Sequence, residues 1–458
     1  MLGSDTPVKS NRRIGSVIRE AFLTIAPATT HDHAISEIEK TTISKITWRI
    51  LPFLMLCYFI AFVDRVNAGF AALHMNHDIG LSPSVFGLGG GLFYVSYVIF
   101  EIPSNLLMEK VGARIWIARI LVSWGLVSAA MALVVGPNSF YGLRLLLGAA
   151  EAGFFPGVIL YLTYWYPAEY RGRIVAIFMC AIPVSSFIGS PISAALLGTD
   201  GMLGLHGWQW LFILEGLPAV LCGLIALFIL PDGPAKAPWL TEEQRDWLTA
   251  RLASDRTTSK QAVGHLSVAQ VLTNRYVWAA SFIYAGASGA SQCLSLWQPQ
   301  IIKSFGLTDM QTGLLNSIPF GIASVLMILW GRNSDRTGER TWHVAIPLAL
   351  LAGSLTVALG IGGLWPTILI LVTAVTATYI VKGPFWALST EWLSAGVAAA
   401  AIAQINAIGN IGGFLGTWLL GVIKDATGSY PLGLMPLAAM SLVGCVLVLR
   451  LGPKRSAV

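Results

Sequence analysis

Four ionisable residues in two apolar stretches of the chain are arranged as two close pairs. Asp64 and Arg65 are adjacent in one stretch, and Arg144 and Glu151 are seven residues apart in another. A spacing of seven places two side chains on one face of a helix, about two turns apart. Because a charge in hydrocarbon costs at least ~2.5–3.5 kcal/mol and is usually paired or faces water, these residues are the first candidates for function.

The arginines and the acids among these residues suggest two different functions. An arginine in a water-poor cavity stays charged and presents a fork of donors that matches a carboxylate, so Arg65 and Arg144 are candidates to bind an anionic substrate. Desolvation favours the neutral form of a carboxyl group, whereas a nearby arginine favours the charged form. The protonation of Asp64 or Glu151 would then depend on whether the arginine is occupied, which predicts proton coupling.

Two alternatives stay open at this point. Buried charges can be structural, so Asp64 with Arg65, and Arg144 with Glu151, could be ion pairs that only join helices. Adjacent residues also point about 100° apart around a helix, so Asp64 and Arg65 need not share a cavity. The sequence therefore does not decide which arginine binds the anion.

The elements that carry these charges are membrane-spanning. Of the 458 residues, 55% are hydrophobic and only 11% are charged, which excludes a soluble domain with a polar shell. A helix needs roughly 20 apolar residues to cross a hydrocarbon core of about 30 Å. Twelve stretches have this length: 47–70, 84–107, 113–135, 139–165, 174–198, 208–230, 277–301, 311–331, 342–362, 365–390, 396–422 and 431–451. The predicted fold class is all-α, a polytopic membrane protein with twelve transmembrane helices in two pseudo-symmetric six-helix halves.

A short charged loop occurs twice, at positions separated by about half of the chain. Both copies follow an even-numbered span and share an acid-base-x-Gly-x-Arg order. The residues concerned are Glu109, Lys110, Gly112 and Arg114 in the first copy, and Gly331, Asp335, Arg336, Gly338 and Arg340 in the second. The repeat indicates two copies of one membrane unit, which is the architecture of transporters. We expect the loops to act as conformational gates, with the acid near a helix N-terminus and the arginine bound to carboxylates or carbonyl ends.

Basic residues fall almost entirely on one side of the predicted membrane. Outside the spans, only Lys303 and Lys424 lie on the other side. Because cytoplasmic loops retain lysine and arginine, both termini are predicted to be cytoplasmic. The predicted organisation is a tail at 1–45, a bundle at 46–230, a cytoplasmic linker at 231–275, a second bundle at 276–452 and a tail at 453–458. The same bias explains the net charge of +6 without a nucleic-acid partner.

The remaining composition predicts no metal site and no enzyme. The five cysteines lie singly in apolar stretches, at positions 57, 180, 222, 293 and 445, and are expected to be packing residues rather than metal ligands or disulfides. The spans contain no cluster of a nucleophile and a base, which disfavours catalysis. Residues 1–45 are polar and do not resemble a cleaved signal. No cofactor is expected beyond a proton gradient.

The second half lacks counterparts of these charges and offers polar and aromatic residues instead. Trp386, Asn406 and Asn410 are therefore predicted to contact the substrate, although each asparagine could instead join two helices by a hydrogen bond. Lys382 is either an anion contact or a residue near the membrane interface, and Gly383-Pro384 predicts a helix break beside it.

In the first half, Tyr97 shares a helix face with Tyr94 and Glu101, a stripe that either lines the cavity or packs. Tyr97 is the better candidate for substrate contact. Glu101 and Glu215 lie toward span ends and are interpreted as structural, and Arg119 is close enough to a loop for its charge to reach water.

These residues together resemble the anion:cation symporter family of the major facilitator superfamily, in particular its bacterial tartrate, phthalate and 4-hydroxyphenylacetate permeases. The resemblance extends from about Ile43 to Leu451. Besides Arg144 and Glu151, it is carried by Asp64-Arg-Val-Asn67, Phe100-Glu-Ile-Pro-Ser-Asn105, Gly153-Phe-Phe-Pro156, Trp165-Tyr-Pro-Ala-Glu-Tyr-Arg-Gly-Arg173, Gly207-Trp-Gln-Trp-Leu-Phe-Ile-Leu-Glu-Gly216, Gly383-Pro-Phe-Trp386 and Gly409-Asn-Ile-Gly-Gly413. The first gate loop departs from the usual pattern, with Asn105 in place of Gly and Glu109-Lys110 in place of Asp-Arg.

The resemblance implies import of a small organic carboxylate, such as a sugar acid, a dicarboxylate or an aromatic acid, by proton symport through alternating access. It implies a multi-pass protein of the bacterial inner membrane that works as a monomer in the lipid bilayer. An antiporter or exporter of organic anions, and less readily a membrane-embedded enzyme, are the alternatives. The identity of the acid and the choice between protons and sodium as coupling ion stay open.

Overall fold

The computed structural model describes residues 37–262, 273–392 and 398–452, and these residues form helices and loops without β-strands. Twelve long helices, numbered α1 to α12, are Glu37–Asp78, Pro83–Val111, Ala113–Leu133, Pro137–Thr163, Ala168–Leu197, Gly207–Ile229, Arg275–Lys303, Asp309–Thr337, Thr341–Val357, Leu364–Ser389, Ala398–Thr427 and Tyr430–Leu451. Each overlaps one of the predicted spans, so the predicted fold class is confirmed.

Ten of these helices, within the described ranges, are long and apolar enough to cross a membrane. Of the other two, α9 is apolar but only 17 residues long. Helix α7 has 29 residues but is rich in serine and glutamine. Because Ser281, Ser288 and Gln298 of α7 are buried, its polar side chains face protein rather than lipid.

The linker contains the helix Glu242–Ala262, and the backbone N–H of Gln244 donates to the Thr241 hydroxyl at its start. Lys45 Nζ of α1 lies 3.3 Å from Gln244 Oε1, so the linker contacts the first half. Helix α1 begins at Glu37, inside the segment predicted as the 1–45 tail. The first 36 residues and positions 453–458 lie outside the described residues, and the predicted domain boundaries otherwise stay predictions.

Glycine ends the helix before each gate loop for a conformational reason. Gly112 follows α2 with φ of 100°, and Gly338 follows α8 with φ of 66°. These positive angles are unfavourable for residues with a Cβ, so glycine allows the chain to turn directly into the next helix.

The halves, α1 to α6 and α7 to α12, pack against each other along three helix pairs. The pairs are α1 with α7, α2 with α11, and α5 with α8. The terminal end of the bundle is defined here as the end where α1 begins and α12 ends, and the opposite end is the far end. Toward the far end the backbones touch: a carbonyl oxygen of the other half would lie 2.6 Å from a Cβ added at Gly69, 2.7 Å at Gly87 and 2.8 Å at Gly313. Small residues thus close the far end.

Polar contacts reinforce this closure. The Asp425 carboxylate of α11 accepts the backbone N–H of Ser84 at the N-terminus of α2, at 2.8 Å. A carboxylate is favoured there by the helix dipole as well as by the hydrogen bond. On the other side of the bundle, Asp309 of α8 lies 2.9 Å from His74 Nε2 of α1 and 2.7 Å from Lys303 Nζ of α7. The far end is therefore closed by both packing and charge.

We expect Gly87→Val to hold the halves apart at the far end, because an added Cβ would lie 2.7 Å from the Thr417 carbonyl oxygen. Overpacking costs about 1–3 kcal/mol. At 1.4 kcal/mol per factor of ten, the closed form should lose roughly tenfold or more in population. The distance between spin labels at positions 77 and 427, in a cysteine-free background, should lengthen.

The matched control is Gly142→Val in α4, where an added Cβ would meet no atom within 4 Å beyond its own stretch of helix. An unchanged label distance in Gly87→Val, or an equal change in both variants, would contradict the described closure.

Candidate functional site

A cavity between the halves collects most of the predicted site residues. It has a volume of about 1170 Å³, including the part open to solvent, and is lined from both halves. The predicted residues in its wall are Asp64, Arg65, Tyr97, Arg144, Glu151, Asn406 and Asn410. Trp386 is not in the wall; its ring packs 5.1 Å from that of Tyr284 and 5.2 Å from that of Phe385. Trp386 thus supports the cavity from behind rather than lining it.

Arg65 of α1 forms an ion pair with Glu151 of α4. Its Nε donates to Glu151 Oε1 at 2.8 Å, and its Nη2 donates to the same oxygen. Glu151 is 1% exposed, and its Oε2 accepts no hydrogen bond from the described residues. The alternative pairings considered from the sequence are therefore wrong, because Arg65 bonds to a different helix rather than to Asp64.

Arg65 also contacts three aromatic rings. Its Cζ lies 4.8 Å from the ring centre of Phe62 and 5.6 Å from those of Phe93 and Tyr97. Cation–π contacts contribute about 0.5–2 kcal/mol, depending on desolvation. Tyr97, predicted as a substrate contact, is thus one of three cavity-wall rings around the guanidinium.

Helix α4 breaks immediately after Glu151. The helical segment ends at Glu151 and restarts at Phe154, with Gly153 at φ of 86° between them. A Cβ at Gly153 would lie 2.7 Å from the Cβ of Ser104 in α2, so both the angle and the close packing require glycine. The predicted span over 139–165 corresponds to α4, and the break within it was not predicted. The negative end of the first segment's helix dipole lies beside Glu151 and disfavours a negative charge on its carboxylate.

The Asp64 side chain points toward α3 and not toward Arg65. It accepts hydrogen bonds from Asn67 Nδ2 at 2.7 Å, from Trp124 Nε1 at 2.6 Å and from the Ser128 hydroxyl. The carboxylate is 2% exposed. Three donors and no cation within ion-pair distance, among the described residues, distinguish Asp64 from Glu151.

Arg144 has no carboxylate partner in the described part of the chain. Its Nε lies 3.4 Å from the Gly89 carbonyl oxygen and its Nη2 3.3 Å from that of Gly90. These are long hydrogen bonds and therefore weak ones. The side chain is only 5% exposed, and Phe93 lies under it at 5.1 Å. Arg144 is thus a buried cation whose donors are incompletely used.

Lys382 presents a similar cation from the other half. It lies in the cavity wall, with Nζ 4.3 Å from the ring centre of Tyr379. Helix α10 is interrupted at Val381, between the segments Leu364–Ile380 and Lys382–Trp392, close to the break predicted from Gly383-Pro384. The structure therefore favours the cavity over the membrane interface for Lys382.

Both asparagines of α11 line the cavity and also make helix–helix hydrogen bonds. Asn406 Nδ2 donates to the Glu101 carboxylate at 3.0 and 3.3 Å, across the two halves. Asn410 Oδ1 accepts from Gln292 Nε2 at 3.0 Å within the second half. The two roles left open by the sequence coexist in this geometry.

The gate loops bind nearby helix ends. In the second loop, Arg340 Nη1 lies 2.7 Å from Asp335 Oδ1 and 2.8 Å from the Ser334 hydroxyl. In the first, Arg114 Nη1 donates to the Leu227 carbonyl at the end of α6 at 3.5 Å, and Nη2 lies 3.9 Å from Asp232. The arginines thus contact a carboxylate and a helix end, as the sequence suggested.

The other residues predicted for these loops lie in helices instead: Glu109 and Lys110 are exposed in α2, and in α8 Arg336 is exposed and Gly331 half-buried. Glu339, beside the second loop, accepts the backbone N–H groups of Trp342 and His343. Burial raises the pKa of the Glu339 carboxyl, but these donors outweigh burial and hold the pKa below its ordinary value. A gating role for the loops stays a prediction.

Sequence reasoning missed Gln292 and Tyr379, which both line the cavity. Gln292 was a polar residue in an apolar span, which could have been noted. Tyr379 had no distinguishing signal, since an aromatic residue in a transmembrane helix usually packs. Within the described residues, no group of three or more His, Cys, Asp or Glu could hold a metal ion.

Comparison with known proteins gives the family. The Major Facilitator Superfamily profile matches residues 54–417. The chain belongs to this superfamily. A protein of Agrobacterium vitis named "Putative tartrate transporter" is 49% identical over 414 residues, covering 90% of this chain and 92% of that protein. The Acinetobacter baumannii "Quinolone resistance transporter" is 42% identical over 416 residues, covering 90% and 95%.

Solved structures confirm the fold. The xylose transporter XylE from E. coli, in a partially occluded inward open conformation, has a TM-score of 0.71 at 16% identity and covers 91% of this chain and 99% of that one. A bacterial homologue of the human lysosomal transporter Spinster, inward-facing and occupied, has a TM-score of 0.69 at 17% identity, with coverage of 88% and 96%. The superfamily and the Agrobacterium vitis and Acinetobacter baumannii relatives are transporters rather than enzymes, so this chain is a membrane transporter.

We expect Asp64→Ala to lower the thermal unfolding midpoint strongly, because it leaves the Asn67, Trp124 and Ser128 donors without an acceptor. An unsatisfied buried donor costs about 1–3 kcal/mol. The control is Asp246→Ala, at an exposed position of the linker helix. Equal midpoints for the two variants in detergent would show that these bonds, two of which join α1 to α3, do not stabilise the protein.

Proposed function

We propose that this protein imports a small organic carboxylate together with protons by alternating access. The observation that carries the proposal is the contrast between two arginines of one cavity, of which Arg65 is half-buried and Arg144 is buried. Arg65 is neutralised by Glu151, whereas Arg144 makes only long bonds to carbonyl oxygens. A site with an unmatched guanidinium attracts an anion, and a carboxylate fits its fork of donors.

Proton coupling follows from the shared charge. Protonation of Glu151 removes the counter-ion of Arg65, so a second guanidinium becomes available to an anion in the same cavity. When the proton leaves, Glu151 recovers Arg65 and competes with the bound anion. In a medium of low dielectric constant an uncompensated charge is unfavourable, so proton and anion bind with positive coupling.

Asp64 is the second proton site in this proposal, and its protonation has a different effect from that of Glu151. Its hydrogen bonds join α1 to α3, so protonation would weaken helix packing rather than release an arginine. The substrate contacts in this proposal are Arg144 and, after protonation of Glu151, Arg65. Asn406 and Asn410 supply polar contacts from the second half.

Alternating access is supported by the arrangement of the halves. The far end is closed by glycine contacts and by the bonds of Asp425 and Asp309. With both termini cytoplasmic, as the charge bias predicts, this is a conformation closed to the outside. We propose that the protein works as a monomer in a bacterial inner membrane, with a proton gradient in place of a cofactor.

The relatives support a carboxylate but also favour one alternative. The name of the Agrobacterium vitis relative agrees with transport of a hydroxy acid, whereas the name of the Acinetobacter baumannii relative agrees with export of a drug. A proton antiporter that exports organic anions is therefore the second candidate. The two differ in the sign of the proton movement that accompanies the substrate.

We expect external carboxylate to acidify the interior of proteoliposomes in sodium-free buffer, tested with tartrate, galactonate, phthalate and 4-hydroxyphenylacetate. Glu151→Gln should abolish this signal but keep exchange of labelled for unlabelled substrate, because it removes the titrating group and leaves Arg144 in place. Internal alkalinisation would identify the antiporter, and no signal with any acid would contradict the proposal.

Arg144→Gln should abolish substrate binding in the same preparation, since it removes the unmatched cation. The control is Arg119→Gln, whose guanidinium lies over Trp116 at 4.0 Å and outside the cavity wall. Retained binding in Arg144→Gln, measured by equilibrium binding in detergent, would show that the anion site lies elsewhere.

A further inference from the structure

We propose that Lys382 is a second anion site and that the transported molecule is therefore a dicarboxylate. The inference rests on the proposed function, since it takes a carboxylate at Arg144 as the first contact. The two cations stand on helices of opposite halves, α4 and α10, and both line the same cavity. In this proposal, each carboxylate of the substrate would meet one of these two cations.

Lys382 lacks a counter-ion among the described residues. Its ammonium group has the Tyr379 ring at 4.3 Å. A cation–π contact is weaker than a full ion pair. The Lys382 side chain is half-buried and therefore partly desolvated, so the ring alone does not compensate its charge.

The carboxylates near the cavity are already engaged. Glu151 binds Arg65, and Asp64 binds donors of α1 and α3. Glu101 accepts from Asn406, and Glu215 accepts from the Ser193 hydroxyl at 2.7 Å. Each of these carboxylates thus has a partner through at least one oxygen, and none in the described part of the chain forms an ion pair with Lys382, which leaves the substrate as the source of one.

The formal charge of the cavity wall favours a dianion over a monoanion. The wall has three cations, Arg65, Arg144 and Lys382, and two carboxylates, Asp64 and Glu151. When Glu151 takes the proton of the proposed cycle, two positive charges are uncompensated. A dicarboxylate neutralises both, whereas a monocarboxylate leaves one charge of the cavity wall without a partner.

Specificity would then come from the second half. A monoamide of the same acid keeps the size and one carboxylate but leaves Lys382 unpaired, so it should bind more weakly. Loss of a hydrogen-bonded charge contact typically costs about 1.5–3 kcal/mol, which corresponds to roughly tenfold or more in affinity. Arg144 would anchor either compound, and Lys382 would distinguish them.

The test compares binding of tartrate and of phthalate with binding of their monoamides, by equilibrium binding to the purified full-length protein. The wild type should prefer the dicarboxylate by roughly tenfold or more. Lys382→Gln should lose this preference by weakening the dicarboxylate alone, and Lys382→Arg should retain most of it. The matched control is Lys424→Gln, because Lys424 also stands over a tyrosine ring, at 4.0 Å from Tyr430, but outside the cavity wall.

Each outcome separates the inference from the proposed function. A wild type that binds monoamides as tightly as dicarboxylates, or a Lys382→Gln variant that weakens both probes equally or neither, would overturn the second anion site alone. A wild type that binds none of the four compounds, or an Arg144→Gln variant that binds them all normally, would overturn the proposed carboxylate site and this inference with it.

Discussion

The ion pair between Arg65 and Glu151 is the interaction on which the site depends. It joins α1 to α4 within the first half, in a cavity that both halves line. Because Glu151 is fully buried and leaves one oxygen without a hydrogen bond from the described residues, the pair satisfies the arginine better than the acid. When a proton binds to Glu151, Arg65 can therefore leave this carboxylate and bind the carboxylate of the substrate instead. That exchange links substrate binding to proton binding without any additional group.

The second constraint is the closure of the far end by backbone contact. Glycines in α1, α2 and α8 let the halves touch there, and carboxylates of the second half bind a helix N-terminus and a histidine of the first. Opening the far end must break these contacts together. The Asn406 bond to Glu101 is a further contact between the halves, made at the cavity itself. A substrate held between Arg144 and the second half would strengthen this link as it binds.

The sequence predicted the fold and the site to different depths. The length of the apolar stretches was enough to predict the helices, because a membrane span requires roughly 20 apolar residues. Charges in apolar stretches were enough to find Arg65, Arg144 and Glu151, because such residues are expensive to bury. Their pairing could not be predicted, since it depends on how helices turn toward each other. The break after Glu151 was not predicted either. Gly153 allows the positive φ found there, but a glycine in the sequence does not show that the fold requires such an angle.

The central claim is that substrate binding and protonation of Glu151 occur together. Infrared difference spectroscopy of the purified protein measures this directly, because a protonated carboxyl group has a carbonyl stretch that a carboxylate lacks. The account predicts that substrate addition produces such a band and that the band is missing in Glu151→Gln. A substrate-induced spectrum with no protonated carboxyl band, or with one that persists in Glu151→Gln, would contradict it.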